Sequence, residues 1–91
     1  MAIQKNLTSF KLSSRALEEA KYWKRNDPKV LAKIEKLIKA IMADPTSGIG
    51  KPEQLKYELE GCWSRRINYG DRLVYFIDGK VLNIISMRHH Y

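Results

Sequence analysis

Six basic side chains, one carboxylate and one histidine are the residues of this 91-residue chain whose types could act together in chemistry. They are Lys51, Glu53, Lys56, Arg65, Arg66, Arg72, Arg88 and His90. Cleavage of an RNA strand needs this set: a base deprotonates the ribose 2′-hydroxyl, cations stabilise the phosphorane, and an acid protonates the leaving 5′-oxygen. Because RNA supplies its own nucleophile, the reaction requires no serine, cysteine, metal or cofactor.

The same residues also fit a protein that only binds phosphate. In that interpretation the arginines contact the nucleic acid backbone and Glu53 pairs with Lys56 at the surface, and the residues alone slightly favour it. A metal centre is not indicated, because adjacent histidines in a strand point to opposite faces and no Cys or carboxylate cluster accompanies them. The thiol of Cys62, between Gly61 and Trp63, is predicted to be structural and not a nucleophile.

Composition limits the class of protein. With 17 Lys and Arg against 10 Asp and Glu, the net charge of +7 favours polyanionic partners, although a solvated lysine face would give the same excess. A single cysteine excludes an intramolecular disulfide framework. We find no signal-peptide pattern and no apolar run of membrane-spanning length. We therefore expect one soluble, cytoplasmic domain comprising residues 1–91, with no membrane partner.

Two helices are predicted in the first half of the chain. Ser13 or Ser14 offers an N-cap for the first, which follows a short strand over 7–12 and ends before Asn26-Asp27-Pro28. Asp27 is expected to cap the second helix, with Pro28 at its first position. Apolar residues at helical spacing from Val30 to Met42 give the second helix one buried stripe and a lysine-rich back.

Three strands are predicted in the second half. They cover 62–67, 72–77 and 80 onwards, separated by the turn sequence Asn68-Tyr69-Gly70-Asp71 and by Asp78-Gly79, a hairpin signal. Residues 52–59 are interpreted as a short turn. The expected fold is therefore α+β: an N-terminal strand at the sheet edge, two helices, and a three-stranded antiparallel meander covered on one face by the helices.

Four separated motifs give the chain a resemblance to a known family. They are GIGKPEQL at 48–55, GCWSRRI at 61–67, DRLVY at 71–75 and the closing RHHY. In order and spacing they strongly resemble the YoeB branch of the RelE superfamily of bacterial toxins. The resemblance implies the RelE-like microbial RNase fold and a ribosome-dependent endoribonuclease that cuts mRNA in the ribosomal A site.

The resemblance also implies roles for individual residues. Glu53 falls where the family has its general base, His90 where it has its general acid, and Arg72 where a cation stabilises the phosphorane. Tyr91 would position the scissile nucleotide or the acid. The remaining basic residues, Lys51, Lys56, Arg65, Arg66 and Arg88, are expected to contact RNA.

Partners follow from the resemblance in the same way. It implies a cognate YefM/Phd-like antitoxin whose acidic segment covers the basic site, with the ribosome and mRNA as targets, and it leaves a homodimer open. The sequence departs from the family at two positions: His89 replaces a tyrosine, and Gln54 replaces a proline. Neither change removes a proposed catalytic group, but His89 adds an alternative acid.

Side-chain alternation raises a conflict at the end of the chain. If Asp78-Gly79 closes an even-numbered loop between regular strands, the residue opposite Arg72 is Ile85, which does not share a face with His90. We therefore predict a bulge, an odd-numbered loop such as 78–80, or a tail that leaves the sheet after Met87, which would bring His90 round to Arg72. Two other classes of protein compete with a ribonuclease: a non-catalytic basic RNA- or ribosome-binding module, and a structural partner in a repressor complex.

Overall fold

The structure is a computed structural model that describes residues 7–89. This part of the chain forms five strands, two α-helices and one short 3-10 helix. In chain order they are β1 (Ser9–Leu12), α1 (Ser14–Asn26), α2 (Pro28–Ala43), β2 (Glu53–Gln54), the 3-10 helix (Tyr57–Leu59), β3 (Trp63–Arg66), β4 (Arg72–Asp78) and β5 (Val81–His89).

The strands form one mixed sheet in the order β1-β5-β4-β3-β2. β1 pairs parallel to β5 at one edge, whereas β3, β4 and β5 form the antiparallel meander. The predicted α+β class and the edge position of the first strand are confirmed. The interpretation of 52–59 as a turn is only partly right, because Glu53 and Gln54 pair with Ser64 and Trp63 as a fifth strand.

Local signals set the helix boundaries. The hydroxyl of Ser13 accepts a hydrogen bond of 3.0 Å from the amide of Ala16, which confirms the predicted N-cap of α1. Pro28 begins α2, where its missing N–H costs no intrahelical bond. The prediction that the Asp27 side chain caps α2 is wrong: Asp27 occupies the N-cap position, but its carboxylate makes no capping hydrogen bond.

The core lies between the two helices and one face of the sheet. Its buried residues on the helices are Ala16, Trp23, Ile34, Leu37, Ile38 and Ile41. Those on the sheet and its turns are Ile67, Leu73, Tyr75, Leu82, Ile84 and Met87. The apolar stripe predicted for α2 is therefore the face that α2 buries, which leaves the other face of the sheet free to carry polar groups.

Helix α1 holds the last described residues of β5. The Glu19 carboxylate accepts hydrogen bonds from the Met87 amide at 2.7 Å and the Ser86 hydroxyl at 3.2 Å. The indole nitrogen of Trp23, a residue 7% exposed, donates to the Met87 carbonyl oxygen at 3.0 Å. These contacts anchor a strand end that would otherwise fray.

The β4-β5 hairpin decides among the three alternatives for side-chain alternation. Asp78 pairs with Val81, so the loop contains two residues, and the prediction of an odd-numbered loop is wrong. Two register shifts lie between Arg72 and Tyr75, and each places one extra residue on β5. The predicted bulge is confirmed, and β5 does not leave the sheet after Met87. Its expected effect is not, because two shifts together preserve alternation and the partner of Arg72 is His89 and not His90.

Candidate active site

The face of the sheet opposite the helices carries the polar cluster, and we call it the outer face. Trp63 packs against the core, so alternation along β3 puts Ser64 and Arg66 on the outer face. Arg66 lies directly opposite Arg72 on β4. Ser64 lies directly opposite Glu53 on β2. Three predicted site residues, Glu53, Arg66 and Arg72, are therefore neighbours on three strands. Ser64 lies among them.

An ion pair joins Glu53 to Arg72 across the outer face. Nη1 of Arg72 lies 3.0 Å from Oε1 of Glu53, and the same nitrogen donates to the Ser64 hydroxyl at 3.1 Å. The Arg72 side chain is 13% exposed and the Glu53 side chain 50% exposed. The arginine is thus held in place, while the carboxylate keeps enough open surface to meet a second group.

The cross-strand partner of Arg72 on β5 is His89. Directly opposed residues share a face of the sheet, so the imidazole of His89 belongs to the outer face beside Arg72. The sequence predicted Ile85 for this position. Pairing of Asp78 with Val81 moves the regular partner of Arg72 to Met87, and the two extra residues on β5 move it on to His89. His90 and Tyr91, predicted to act in catalysis, lie outside the described residues.

Three more of the cations predicted to contact RNA lie at the surface. Lys51, Lys56 and Arg66 are exposed, and their contact with RNA stays a prediction. A shallow cleft at the β3-β4 turn is lined by Arg66, Arg72 and Lys33 of α2, together with Ile67, Asn68 and Tyr69. The sequence pattern placed Lys33 only on a solvated helix face. Its approach to the arginines depends on how α2 docks, which periodicity does not reveal.

The prediction that Arg65 binds RNA is wrong. Arg65 is 0% exposed, and its guanidinium contacts only protein groups. Its acceptors are the carbonyl oxygens of Asp44 (2.7 Å), Ser47 (2.9 Å) and Ile49 (3.0 Å) and the Tyr75 hydroxyl (3.1 Å). No surface of Arg65 is left for a phosphate.

Arg88 is also separated from the cluster. Its guanidinium lies over the ring of Tyr22, 3.7 Å from the centroid, and 5.6 Å from the ring of Trp23, both on α1. Its Nε is buried without a hydrogen-bond partner. The structure therefore places Arg88 as a cation stacked on α1 and apart from the group around Arg72, and its expected contact with RNA stays a prediction.

The thiol of Cys62 is partly buried, and this burial raises the pKa of Cys62 above its ordinary value. A thiol with a raised pKa is a poor nucleophile at neutral pH, which agrees with the structural interpretation. Within residues 7–89 no His, Cys, Asp and Glu side chains gather in a group of three or more suited to a metal ion. No helix in the same range has the length and apolar character needed to cross a membrane.

Comparison with known proteins gives one consistent family. The family described as "YoeB-like toxin of bacterial type II toxin-antitoxin system" matches residues 12–91. Toxin YoeB of Synechocystis sp. is 57% identical over 70 residues, covering 77% of this chain and 81% of that protein. Toxin YoeB of Escherichia coli (strain K12) is 42% identical over 79 residues, covering 87% of this chain and 94% of that protein.

Solved structures agree with the sequence comparison. A YoeB/ParE toxin from Agrobacterium tumefaciens superposes with a TM-score of 0.89 at 35% identity, covering 92% of this chain and 100% of that chain. A YoeB dimer from Staphylococcus aureus gives 0.86 at 44% identity, with coverages of 94% and 99%. The heterotetrameric YoeB-YefM toxin-antitoxin complex from the same organism gives 0.84 at 44% identity, with coverages of 93% and 98%.

Proposed function

The chain belongs to the YoeB-like toxins of bacterial type II toxin-antitoxin systems, and we propose that it is a metal-independent endoribonuclease that cuts mRNA in the ribosomal A site. The observation that carries this proposal is the Glu53-Arg72 pair, in which a half-exposed carboxylate adjoins a fixed guanidinium on the outer face. A base beside a phosphate-binding cation is the arrangement that cleavage by the ribose 2′-hydroxyl requires.

Glu53 is the general base in this mechanism. Its carboxylate takes the proton of the 2′-hydroxyl, and the freed 2′-oxygen forms a bond to the adjacent phosphorus. In the protein without RNA this carboxylate is engaged by Arg72 at 3.0 Å. An incoming phosphate competes for Arg72, so binding of RNA itself releases Glu53 to accept a proton.

Arg72 stabilises the phosphorane. Its contact with Ser64 fixes Nη1 before RNA arrives, so the positive charge needs no reorganisation when negative charge builds up on the equatorial oxygens. Exposed Arg66, its cross-strand neighbour, supplies a second cation. Lys51 and Lys56 flank Glu53 in the chain and contact neighbouring phosphates.

His90 and Tyr91 complete the reaction. His90 donates a proton to the leaving 5′-oxygen as the bond from phosphorus to that oxygen breaks, and Tyr91 orients the scissile nucleotide or the acid. The products are a 2′,3′-cyclic phosphate and a free 5′-hydroxyl. Anchoring of β5 to α1 through Met87 fixes the strand that leads to these two residues as far as His89.

Cleavage on translating ribosomes tests the proposal. Purified protein is added to ribosomes stalled on a defined mRNA, and new 5′ ends are mapped for the wild type, Glu53→Ala and His90→Gln. We expect cuts in the A-site codon by the wild type and losses of about 10²- to 10⁴-fold in each variant. A basic RNA- or ribosome-binding module would produce no cuts, and equal cutting by all three proteins would contradict the assigned residues.

We also propose a cognate antitoxin for this chain, as in the S. aureus YoeB-YefM complex, and self-association, as in the S. aureus YoeB dimer. A chain of net charge +7 with a basic cleft suits an acidic segment that folds as it covers the outer face. The ribosome as target places the activity in the cytoplasm. Adding the acidic segment should abolish cleavage, and raising the salt concentration should slow its association.

A further inference from the structure

The α2-β2 loop carries the chain from helix α2 to Glu53, and one buried side chain organises it. The guanidinium of Arg65 donates to the backbone carbonyls of Asp44, Ser47 and Ile49. The Tyr75 hydroxyl accepts from Nε of Arg65 and donates to the Pro45 carbonyl at 2.8 Å. Arg65 and Tyr75 together therefore bind four carbonyls of one loop.

The loop also packs closely around Arg65. A Cβ atom added to Gly48 would lie 3.1 Å from Nη1 of Arg65. One added to Gly50 would lie 2.9 Å from Cδ2 of Leu37 and 3.1 Å from Cβ of Arg65, and Gly50 has a φ of +87°. These glycines fit because the loop backbone lies directly on the arginine.

The fixed loop leads directly to the candidate base. The Gly50 carbonyl accepts a 2.6 Å hydrogen bond from the Arg66 amide, and Lys51 follows in a left-handed conformation with a φ of 52°. Strand β2 contains only Glu53 and Gln54, which is too short to hold itself in register. The position of Glu53 consequently depends on the backbone hydrogen bonds of the residues on either side of it. Gly50 supplies the one before it, and the Leu55 amide, which donates to the Cys62 carbonyl, supplies the one after it.

We propose that Arg65 is a positioning residue for the reaction: it locks the α2-β2 loop from the core side and so places Glu53 beside Arg72 on the outer face. Arg65 thus holds the loop on the core face of β3, whereas the neighbouring Arg66 is exposed to phosphate on the outer face. Arg65 acts through Glu53, and the assignment rests on the proposed function of Glu53 as general base. A buried guanidinium suits this task because its several N–H donors can bind separate carbonyl oxygens at once.

Arg65→Lys is the first test, because it keeps the charge and loses the planar fork that reaches separate carbonyls. Tyr75→Phe is the second, because it keeps the ring in the core and removes one hydroxyl. Leu82→Val is the matched control for lost core packing, since Leu82 is buried on β5 opposite Ile77, away from the loop. All proteins are compared by single-turnover cleavage over a range of ribosome concentrations.

We expect Arg65→Lys to lower the rate at saturating ribosomes by about 10- to 100-fold, with Tyr75→Phe intermediate and Leu82→Val close to wild type. The half-saturating ribosome concentration should not move. In a Glu53→Gln background, Arg65→Lys should cost less than about threefold more, because the two residues act through the same group. Full additivity with Glu53→Gln, or a loss no larger than that of Leu82→Val, would overturn the proposal.

Amide hydrogen exchange gives a readout independent of activity. The Arg66 and Leu55 amides, which donate to Gly50 and Cys62, should exchange faster in Arg65→Lys and Tyr75→Phe, but not in Leu82→Val. Unchanged exchange at both amides would refute the positioning role. If wild-type protein shows no Glu53-dependent cleavage, the proposed function fails, and faster exchange would still assign the loop lock to Arg65. If Arg65→Lys does not fold, Tyr75→Phe supplies both measurements.

Discussion

Glu53 and Arg72 form an ion pair of 3.0 Å between Oε1 and Nη1 although they are 19 positions apart in the chain. The pair exists because β2 and β4 lie on either side of β3, with Ser64 between them accepting a second hydrogen bond from Arg72. In the proposed mechanism, the base and the phosphate-binding cation are therefore in contact before substrate arrives, and the carboxylate changes partner during the reaction.

Replacement of Glu53 by Gln separates these two roles. The amide oxygen of Gln still accepts from Arg72, but the side chain takes no proton at neutral pH, so we expect cleavage to fall by about 10²- to 10⁴-fold with ribosome binding retained. Glu58→Gln on the short 3-10 helix removes an exposed carboxylate away from Arg72 and should cut normally. Similar losses in the two variants would show that general charge, and not proton transfer, is responsible.

The two histidines can be distinguished in the same assay. His89 is the residue opposite Arg72, whereas the family resemblance assigns the acid to His90. We expect His90→Gln to lose about 10²- to 10⁴-fold in rate, because protonation of the leaving oxygen is lost. His89→Tyr, which introduces the residue usual in the family, should retain most of the activity. The reverse pattern would transfer the acid role to His89.

Much of the fold can be predicted from the sequence, because it depends on interactions between residues close together in the chain. Ser13 and Pro28 mark helix starts because capping and ring geometry act within a few residues. The meander follows from turn residues, and the four motifs indicate the correct family. Glu53 and Arg72 were both predicted, but their contact was not, because it depends on the pairing of β2 that two residues alone cannot signal.

The wrong predictions concern features that depend on packing between residues far apart in the sequence. Arg65 and Arg66 are identical in type and adjacent, so alternation shows that they face opposite ways but not which one is buried. The bulges that bring His89 opposite Arg72 similarly depend on how β5 packs on α1. A sign of the buried role was present in Gly48 and Gly50, whose small size allows the loop to approach Arg65.

The Trp23 indole predicts a stability effect. Its hydrogen bond to the Met87 carbonyl is buried, so Trp23→Phe leaves an acceptor unsatisfied and removes part of a large ring. We expect the free energy of unfolding to fall by about 1–3 kcal/mol in urea titration. Tyr22→Phe keeps the ring under Arg88 and should cost less. Equal losses would show that the hydrogen bond to β5 contributes little.

The Cys62 thiol should react slowly with alkylating agents at neutral pH. Burial raises the pKa of Cys62 above its ordinary value, so the thiolate that reacts with iodoacetamide forms only at more alkaline pH than in an exposed cysteine. We expect slow alkylation at pH 7 that accelerates only at a pH above the ordinary pKa of a cysteine thiol, and cleavage by Cys62→Ser close to wild type. Rapid alkylation at neutral pH coupled to loss of cleavage would restore a catalytic role for the thiol.

Deletion of Tyr91 tests whether the chain end serves chemistry or folding. The last described strand is already held by Glu19 and Trp23 through Met87, so folding has its anchor before residue 90. Removing Tyr91 should therefore leave the urea midpoint nearly unchanged, while misplacement of the nucleotide or acid lowers cleavage by about 10²-fold. Tyr69→Ala, which removes an exposed phenol from the β3-β4 turn, measures the effect on folding of losing a surface tyrosine. A protein lacking both His90 and Tyr91 that still cut mRNA normally would remove the acid from the mechanism, because no proton donor would remain where the resemblance places one.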